Sequence, residues 1–332
     1  MNVDDIRPKQ SMIKQRVALA SDIAFFETHS SSFVDIDCPA CGKKNDKFLY
    51  IKSGLKHNLC LDCDTQFISP RPDVKTLSAF YAQSENYSYW ADEIFKNSAS
   101  KRMDKIFIPR AKFIKDQMLK RGVEPRNLLE VGAAYGFFCD AATEVLNFES
   151  VSCIEPTPKL ANVLREKGYE IIEDSYENVV LSEQFSLVAA FEVIEHLFNP
   201  GQFLDWAHNS LFDNGMLYIT CPNILGFETQ ILGRESETID HEHLNLFSPT
   251  GMKILLEESG FCNVEITTPG KLDTDIVWEY FKACPPIGQN PAEFMFKHML
   301  VSESGRLLVQ NLLEELHLST HMSIVAEKAP RW

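Results

Sequence analysis

Residues 128–138 read LLEVGAAYGFF, which predicts a strand, a tight turn and a helix in succession. The apolar run before Gly132 predicts a buried strand, and the segment that begins at Phe137 predicts a helix. Between them, Gly132 and Gly136 predict a tight turn where the backbone can approach a ligand closely and the helix start offers free N–H groups. Taken alone, a G-x-A-x-G turn also suits an ordinary connection from strand to helix.

The sequence around this turn alternates between strands and helices. From Asn127 onward we count seven predicted strands, with a helical insertion at about residues 275–318 between the last two. This alternation predicts an α/β fold, a Rossmann-like seven-stranded and mostly parallel sheet with helices on both faces. Ligands bind such sheets at the carboxyl ends of the strands, which is where the glycine turn lies.

Composition limits the class of protein. The chain has 332 residues, of which 45% are hydrophobic, and a formal net charge of −15. No apolar run reaches the roughly 18 residues of a membrane span, and the first residues lack the apolar core of a secretion signal, so we expect a cytoplasmic protein that does not enter a membrane. A nucleic-acid partner is not expected, because binding one needs a basic surface.

Two cysteine pairs precede the α/β region. Cys38-Pro-Ala-Cys41 and Cys60-Leu-Asp-Cys63 are separated by 18 residues, within short alternating strands. This spacing predicts a zinc ribbon, in which each pair supplies two thiolates to one tetrahedral ion. Four thiolates leave no open position, so the zinc is expected to be structural. Four unconnected thiols or an iron–sulfur cluster remain as alternatives.

Acidic residues follow the next two predicted strands. Glu155-Pro156 ends the second strand, where an acid can accept hydrogen bonds from two ribose hydroxyls, and Asp174 ends the third. The stretch from Phe191 to Leu197, FEVIEHL, follows the fourth strand, and EHLNLFSPTGMKILLEESGF precedes the sixth. All of these strand ends are expected to meet at one edge of the sheet.

Together these motifs resemble those of class I S-adenosylmethionine-dependent methyltransferases. The resemblance implies that the turn wraps the methionine part of the cofactor, that Glu155 holds the ribose, that Asp174 faces the adenine and that Phe191 lies beside the cofactor. The full set of expected cofactor-binding residues is Glu130, Gly132, Ala134, Tyr135, Gly136, Glu155, Pro156, Asp174 and Phe191. Family members often carry a third glycine where this chain has Ala134. A dinucleotide-binding site is the alternative, but its G-x-G-x-x-G pattern is not present in this turn.

A second metal site is predicted after the fourth strand. Glu192, Glu195 and His196 have the spacing of one helical face, and His241 and His243 follow the fifth strand. The set resembles the metal site of small-RNA 2′-O-methyltransferases and ubiquinone-pathway O-methyltransferases, whose later histidine matches His243 and not His241. The resemblance implies Mg²⁺ or another divalent ion on Glu192, Glu195, His196 and His243. In a metal-free pocket, His196 or His243 is the expected general base, and the side chain of Glu195 is expected to interact with the end of a helix.

The predicted organisation has four parts. Residues 1–33 form a helical or flexible segment, residues 34–73 the zinc ribbon, residues 74–122 a helical connector over the cofactor site, and residues 123–332 the methyltransferase domain. Within the connector, residues 85–90 have the composition of a loop, and Tyr87, Tyr89 and Trp90 are expected either to close over the cofactor or to pack in the core.

The expected function is methyl transfer from S-adenosylmethionine to a small molecule. A hydroxyl acceptor is preferred, with Glu195, His196 and His243 as the catalytic residues, and carbon or nitrogen acceptors stay open. A zinc ribbon before such a domain resembles methyltransferases that act on sugars or related metabolites, often in polysaccharide biosynthesis. The alternatives are a metal-dependent RNA 2′-O-methyltransferase and a cofactor-binding protein without activity.

Overall fold

The computed structural model describes residues 3–284 and 291–329, and the remaining residues of the predicted terminal segments and insertion lie outside this range. Its strands form two sheets. In chain order they are β1 Asp46–Lys52, β2 Leu55–Cys60, β3 Gln66–Ile68, β4 Asn127–Val131, β5 Ser150–Ile154, β6 Glu170–Ile172, β7 Phe185–Phe191, β8 Leu211–Pro222, β9 Asn245–Leu246, β10 Phe261–Thr267 and β11 His321–Lys328.

The larger sheet confirms the predicted fold class. Its seven strands have the order β10-β11-β8-β7-β4-β5-β6, and only β11 runs antiparallel to its neighbours. The chain moves outward from β4 in both directions, so the strand order reverses beside β4. Such a reversal leaves a crevice at the carboxyl ends of the adjoining strands, where ligands bind.

Helices cover both faces of this sheet. The described α-helices of the chain are α1 Val3–Ile6, α2 Lys9–Thr28, α3 Val74–Gln83, α4 Glu85–Tyr89, α5 Lys96–Arg102, α6 Ile108–Arg121, α7 Phe137–Leu146, α8 Pro158–Glu166, α9 Pro200–Ser210, α10 Phe227–Leu232, α11 Pro249–Glu258, α12 Asp273–Ala283, α13 Pro291–Leu300 and α14 Glu303–Glu315. Side chains of β4 alternate between the two faces, so Leu128 packs with α6 and α7 whereas Leu129 packs with α9 and α11. Among the described helices, none combines the length and the apolarity needed to cross a bilayer.

The last two strands are separated by a helical insertion, as the sequence predicts. Helices α12, α13 and α14 lie between β10 and β11. Together with α10 they enclose a small core of their own, which includes Phe227, Val277, Phe281 and Leu313. The insertion therefore packs as a unit beside the sheet.

The segment at residues 85–90 is helical, and the loop predicted there is wrong. Ser84 begins α4, and its side-chain oxygen accepts a hydrogen bond from the backbone N–H of Tyr87 at 2.9 Å. A serine at this position satisfies a free N–H of the first turn and so favours a helix start. Two π-helical turns, Trp90–Phe95 and Met103–Phe107, then connect α4 to α5 and α5 to α6.

The smaller sheet is formed by the cysteine-containing segment and by one strand that the sequence did not predict. Its order is β1-β2-β3-β9, so the three ribbon strands are joined by β9 from the region before α11. In this pairing Phe67 lies opposite Asn245. Phe67 also belongs to the same buried cluster as β7, β8, α9 and α11. The ribbon is thus built into the core of the larger domain.

Arg71 connects the ribbon to the larger domain. Its side chain is fully buried, and its guanidinium donates four hydrogen bonds. The acceptors are the carbonyl oxygens of Ile68 at 3.0 Å, Phe198 at 3.1 Å and Leu244 at 3.2 Å, and Oδ1 of Asn245 at 3.0 Å. Because the acceptors come from three separate parts of the chain, this one side chain fixes their relative positions.

Replacing Arg71 should destabilise the whole protein. We expect Arg71→Met to lower the free energy of unfolding by about 3–5 kcal/mol, because four buried acceptors lose their donor. Arg71→Lys should recover only part of this loss, since an ammonium lacks the forked geometry. Chemical denaturation measures the effect. Arg126→Met, at an exposed ion pair with Glu124, is the matched control, and equal stability of the two methionine variants would contradict the prediction.

Candidate active site

The turn after β4 has the backbone that its glycines predict. Gly132, Ala134 and Gly136 have φ angles of 71°, 47° and 68°. A Cβ on Gly132 would lie 2.8 Å from Cγ2 of Val193, and one on Gly136 would lie 2.5 Å from Cδ2 of Leu164. The positive φ angles favour glycine at both positions, and an added Cβ would also displace the side chains of Val193 and Leu164. Ala134 adopts the left-handed region despite its methyl group, and the turn keeps its shape.

Glu155 connects this turn to the end of β5. Its side chain is fully buried, Oε2 accepts a hydrogen bond from the N–H of Ala134 at 2.9 Å, and Oε1 accepts one from the N–H of Thr157 at 2.9 Å. Burial raises the pKa of Glu155, against the opposing effect of these two donors. Each carboxylate oxygen retains acceptor capacity, so the group can bind two further hydroxyl donors.

Two other predicted residues lie under and beside the turn. Glu130 is buried in β4, where Sγ of Cys139 donates to its Oε2 at 2.8 Å, and burial raises the pKa of Glu130 to about 8. The hydroxyl of Tyr135 donates to the carbonyl oxygen of Ala91 at 2.6 Å. The turn is thereby held from below by a strand and from the side by the N-terminal helical region.

The remaining predicted cofactor residues lie at neighbouring strand ends. Pro156 and Asp174 are exposed, and Oδ1 of Asp174 accepts a hydrogen bond from Nδ2 of Asn178 at 2.8 Å. Phe191 ends β7, and its ring centroid lies 4.6 Å from that of Phe138. The structure places all three along the same edge of the sheet as the glycine turn.

Three of the predicted metal ligands converge at this edge. One carboxylate oxygen of Glu195 and one ring nitrogen from each of His196 and His243 lie within 4.8 Å of one another. Nδ1 of His196 is 3.1 Å from the carbonyl oxygen of Glu242, and Nδ1 of His243 is 2.7 Å from that of Thr238. Because a carbonyl oxygen only accepts, each Nδ1 is protonated, and in the neutral form of such an imidazole the lone pair lies on Nε2.

The electrostatics of this cluster are those of a buried site. Both carboxylate oxygens of Glu195 are buried, and neither has a hydrogen-bond partner among the described residues. Burial, assisted by the Glu192 carboxylate, raises the pKa of Glu195 well above its usual range. Burial, assisted by His243, lowers the pKa of His196 to about 3. At neutral pH, His196 is therefore a neutral imidazole.

Glu192, the fourth predicted ligand, lies outside this group of converging atoms in the structure. Its Oε1 accepts a hydrogen bond from Oγ1 of Thr220 at 2.6 Å and lies 3.5 Å from Nδ1 of His321. The prediction assumed a helical spacing from residue 192 onward. The backbone of Glu192 has a φ of 54°, and the helical turn begins only at Ile194, so its side chain points elsewhere.

Two polar residues that the sequence did not single out shape the cluster. Oδ1 of Asp240 accepts hydrogen bonds from the N–H groups of Glu242 at 2.9 Å and His243 at 2.8 Å. Nδ2 of Asn245 donates to the carbonyl oxygen of Leu197 at 2.7 Å and so holds the turn after β7. An aspartate side chain commonly accepts hydrogen bonds from the backbone N–H groups that follow it in a turn. The sequence alone could therefore have indicated the role of Asp240.

The four ribbon cysteines also converge. Their Sγ atoms all lie within 4.8 Å of one another. Cys38 and Cys63 are 3.6 Å apart at sulfur, as are Cys41 and Cys60. A tetrahedral ion with bonds of about 2.3 Å holds sulfurs about 3.8 Å apart, so the donor set fits zinc.

Comparison with known proteins identifies the larger domain. Residues 104–266 match the profile of a family described as "Methyltransferase domain". Residues 104–266 therefore form a domain of the class I S-adenosylmethionine-dependent methyltransferases. S-adenosylmethionine is accordingly the cofactor of this methyltransferase, and the matched residues contain the glycine turn, Glu155 and the cluster around Glu195.

Individual relatives of the methyltransferase are distant. The mitochondrial ubiquinone biosynthesis O-methyltransferase of Dictyostelium discoideum is 27% identical over 131 residues, which are 34% of this chain and 41% of that protein. A solved structure of the plantazolicin methyltransferase BamL with SAH shares the fold, with a TM-score of 0.51 at 12% identity over 76% of this chain and 94% of that one. An S-adenosylmethionine-dependent methyltransferase from Clostridium acetobutylicum has a TM-score of 0.48 at 10% identity, over 74% and 99% of the two chains.

Aromatic residues of α4 divide between two surroundings in the methyltransferase. Burial, assisted by the Glu155 carboxylate, raises the pKa of the Tyr87 phenol. The hydroxyl of Tyr89 instead donates to a backbone carbonyl of α2 at 2.8 Å, and the guanidinium of Arg7 lies 5.9 Å from the ring centroid of Trp90. Tyr89 and Trp90 therefore pack against the N-terminal helices.

Tyr81, in α3, faces the metal-ligand cluster. Its ring centroid lies 6.5 Å from that of His196, and its hydroxyl is buried without a hydrogen-bond partner among the described residues. No sequence pattern points to this residue, because its position depends on how α3 packs.

Proposed function

We propose that this methyltransferase transfers a methyl group to a hydroxyl of a small molecule, with a divalent ion held by Glu195, His196 and His243. One observation carries the proposal. The carboxylate of Glu195 is buried, neither of its oxygens has a hydrogen-bond partner among the described residues, and a ring nitrogen from each of His196 and His243 lies within 4.8 Å of it. A bare buried carboxylate is costly, and a bound cation compensates it.

The hydrogen bonds around the histidines support this use. A metal-binding imidazole usually donates its other N–H to a carbonyl or carboxylate, which fixes the ring and the tautomer. His196 and His243 both donate Nδ1–H to backbone carbonyl oxygens. A carboxylate and two imidazoles suit Mn²⁺, Fe²⁺ or Zn²⁺. The alternative is Mg²⁺, a chemically harder cation that prefers oxygen ligands. The residues present therefore fit a divalent ion.

The position of the cluster supports a role in methyl transfer. The turn that carries Glu195 and His196 follows β7, which is hydrogen-bonded to β4 and its glycine turn. S-adenosylmethionine bound across that turn supplies the methyl group, and an ion at the cluster would lower the pKa of an acceptor hydroxyl. Glu155 is proposed to orient the ribose, and Phe191 to pack beside the cofactor. The protein's main task is then to align the two reactants.

The proposed acceptor is a hydroxyl of a sugar or a related metabolite. Three features support an oxygen acceptor on a small molecule: the Dictyostelium relative is named as an O-methyltransferase, the ligand set suits a hydroxyl, and the net charge of −15 does not favour a long nucleic acid. The resemblance to ribbon-containing methyltransferases that act on sugars supports a sugar or a related metabolite as the acceptor.

Removing Glu195 should abolish turnover while cofactor binding persists. We expect Glu195→Gln to lower kcat about 100-fold or more, because the variant lacks an anionic ligand, with unchanged affinity for S-adenosylhomocysteine. Transfer of a radiolabelled methyl group from S-adenosylmethionine to a panel of monosaccharides, catechols and a short RNA measures the rate.

The exposed Glu144→Gln, on α7, is the control for that assay. EDTA should reproduce the Glu195→Gln effect, and added Mn²⁺ or Mg²⁺ should reverse it in wild-type protein only. Full activity of Glu195→Gln in EDTA would refute the metal role. Methylation of the RNA alone would favour the 2′-O-methyltransferase alternative, and cofactor binding with no acceptor methylated would favour a non-catalytic protein.

Glu155 should determine cofactor affinity. We expect Glu155→Ala to weaken binding of S-adenosylhomocysteine by about 1–3 kcal/mol, or roughly 5-fold to 150-fold, because charge-assisted hydrogen bonds are lost. Isothermal titration calorimetry measures the affinity. Glu155→Gln keeps the shape of the side chain and separates the loss of charge from a distorted turn. Wild-type affinity in both variants would show that the ribose is held elsewhere.

We also propose that the ribbon binds one structural Zn²⁺ through Cys38, Cys41, Cys60 and Cys63. The sulfur separations fit a tetrahedral ion, and the cysteines pack in the same core as the sheet. The zinc would stabilise the short strands β1–β3, which enclose little apolar surface of their own.

Cys60→Ser should lose zinc and lower the melting temperature. Removing one thiolate breaks the tetrahedron, and the shared core transmits the damage to the larger domain. Zinc content by mass spectrometry and thermal unfolding measure the two effects. Cys284→Ser, at an exposed cysteine, is the matched control. A Cys60→Ser protein with full zinc content and an unchanged melting temperature would exclude the zinc ribbon.

A further inference from the structure

A second cluster of ligand-type side chains lies beside the proposed catalytic one. Asp22 of α2 and the neighbours His241 and Glu242 place one carboxylate oxygen, one ring nitrogen and another carboxylate oxygen within 4.8 Å of one another. All three side chains are buried, with exposed fractions of 3%, 1% and 8%. We propose that these residues bind a divalent first-row transition-metal ion that joins α2 to the loop carrying His243.

His241 provides the first argument, because neither of its ring nitrogens has a hydrogen-bond partner among the described residues. Buried imidazoles are almost always hydrogen-bonded, since an unpaired polar atom is costly. The ring centroids of Phe26 and Phe80 each lie 5.9 Å from that of His241 and 4.5 Å from each other, so this side of the imidazole is apolar. The imidazole thus has no hydrogen bond from the described residues, and the charged groups that face it are the carboxylates of Asp22 and Glu242.

The distances provide the second argument. Nε2 of His241 is 3.8 Å from Oδ2 of Asp22 and 3.6 Å from Oε1 of Glu242. Direct hydrogen bonds would be about 2.7–3.2 Å long. Two ligands that share an ion with bonds of about 2.1 Å lie roughly 3.0–3.6 Å apart. The observed separations are too long for hydrogen bonds and close to the spacing of ligands around one ion.

The carboxylates provide the third argument, because both are already oriented. Oδ2 of Asp22 accepts from Oγ of Ser84 at 2.5 Å, and Oδ1 accepts from the N–H of Glu85 at 3.0 Å. Oε1 of Glu242 accepts from Nδ2 of Asn86 at 2.5 Å. Outer hydrogen bonds of this kind hold the ligands of metal sites in place.

Charge and donor chemistry identify the class of ion. Two buried carboxylates beside one imidazole leave a negative charge that a dication neutralises. Imidazole suits Zn²⁺ and Fe²⁺, carboxylate also suits Mn²⁺, and a mixed set of this kind accepts all three. The ion would be structural, since it connects α2 to the 240–243 loop. The carbonyl oxygen of Glu242 from this loop also accepts the hydrogen bond from His196.

The test counts metal ions in a chain whose proposed catalytic site has been removed. In the full-length His196→Gln/His243→Gln protein, titration with Mn²⁺ followed by electron paramagnetic resonance should show one bound equivalent per chain. Adding the substitution Asp22→Asn to this protein should abolish binding of the Mn²⁺ ion. Adding the control substitution Asp116→Asn, at an exposed residue, should leave the ion bound. Because the background lacks the catalytic ligands, the result does not depend on whether the proposed activity is correct.

A second measurement covers the case in which a variant fails to fold. Crystals of the wild-type protein grown with Mn²⁺ should show an anomalous scattering peak between Asp22, His241 and Glu242. A peak there supports the proposal whether or not methyl transfer is detected. Crystals without that peak, or an Asp22→Asn protein that keeps its Mn²⁺ equivalent, would overturn it and leave a buried ion pair of His241 with the two carboxylates.

Discussion

The buried guanidinium of Arg71 is the interaction on which the arrangement of this methyltransferase depends. It binds the end of β3, the turn after β7 and the segment that leads into β9, and its partner Asn245 in turn binds the backbone that carries the proposed metal ligands. Burial lowers the pKa of Arg71 to about 9, and the nearby Cys38 opposes this effect. Four thiolates around a zinc ion carry a net negative charge, so the guanidinium also balances the proposed ribbon site.

Much of the fold was predictable because its signals are local. Apolar runs followed by glycine or acidic residues predicted β4, β5 and β7, and the parallel arrangement follows from their alternation with helices. Convergence of the four cysteines was predictable because each pair occupies one tight turn. The convergence of Glu195 and His196 was predictable for a similar reason, since both lie in one turn after a strand, and only the choice of His243 needed the resemblance to known families.

The features that the sequence did not reveal depend on contacts between distant segments. Strand β9 is two residues long, and a sequence pattern that short does not predict a strand. Asp22 meets His241 only because α2 packs on the 240–243 loop. Glu192 shows a local failure of a different kind. Its left-handed backbone interrupts the strand-to-helix transition, so a spacing rule that assumes a continuous helix gives the wrong direction for its side chain. The segment at residues 85–90 is helical because Ser84 caps its first turn. Its polar composition, which is typical of a loop, led to the wrong prediction.

The pairing of β3 with β9 also affects the order in which the chain folds during translation. Three strands of the smaller sheet leave the ribosome early, whereas their fourth partner emerges only after β8 has been synthesised. Until then, β3 keeps an open edge whose N–H and C=O groups lack their final partners, and such edges invite pairing with other chains. Joining segments so distant in sequence is slow, because the intervening chain must first become ordered. The nascent N-terminal third is therefore the part of this protein most exposed to misassembly.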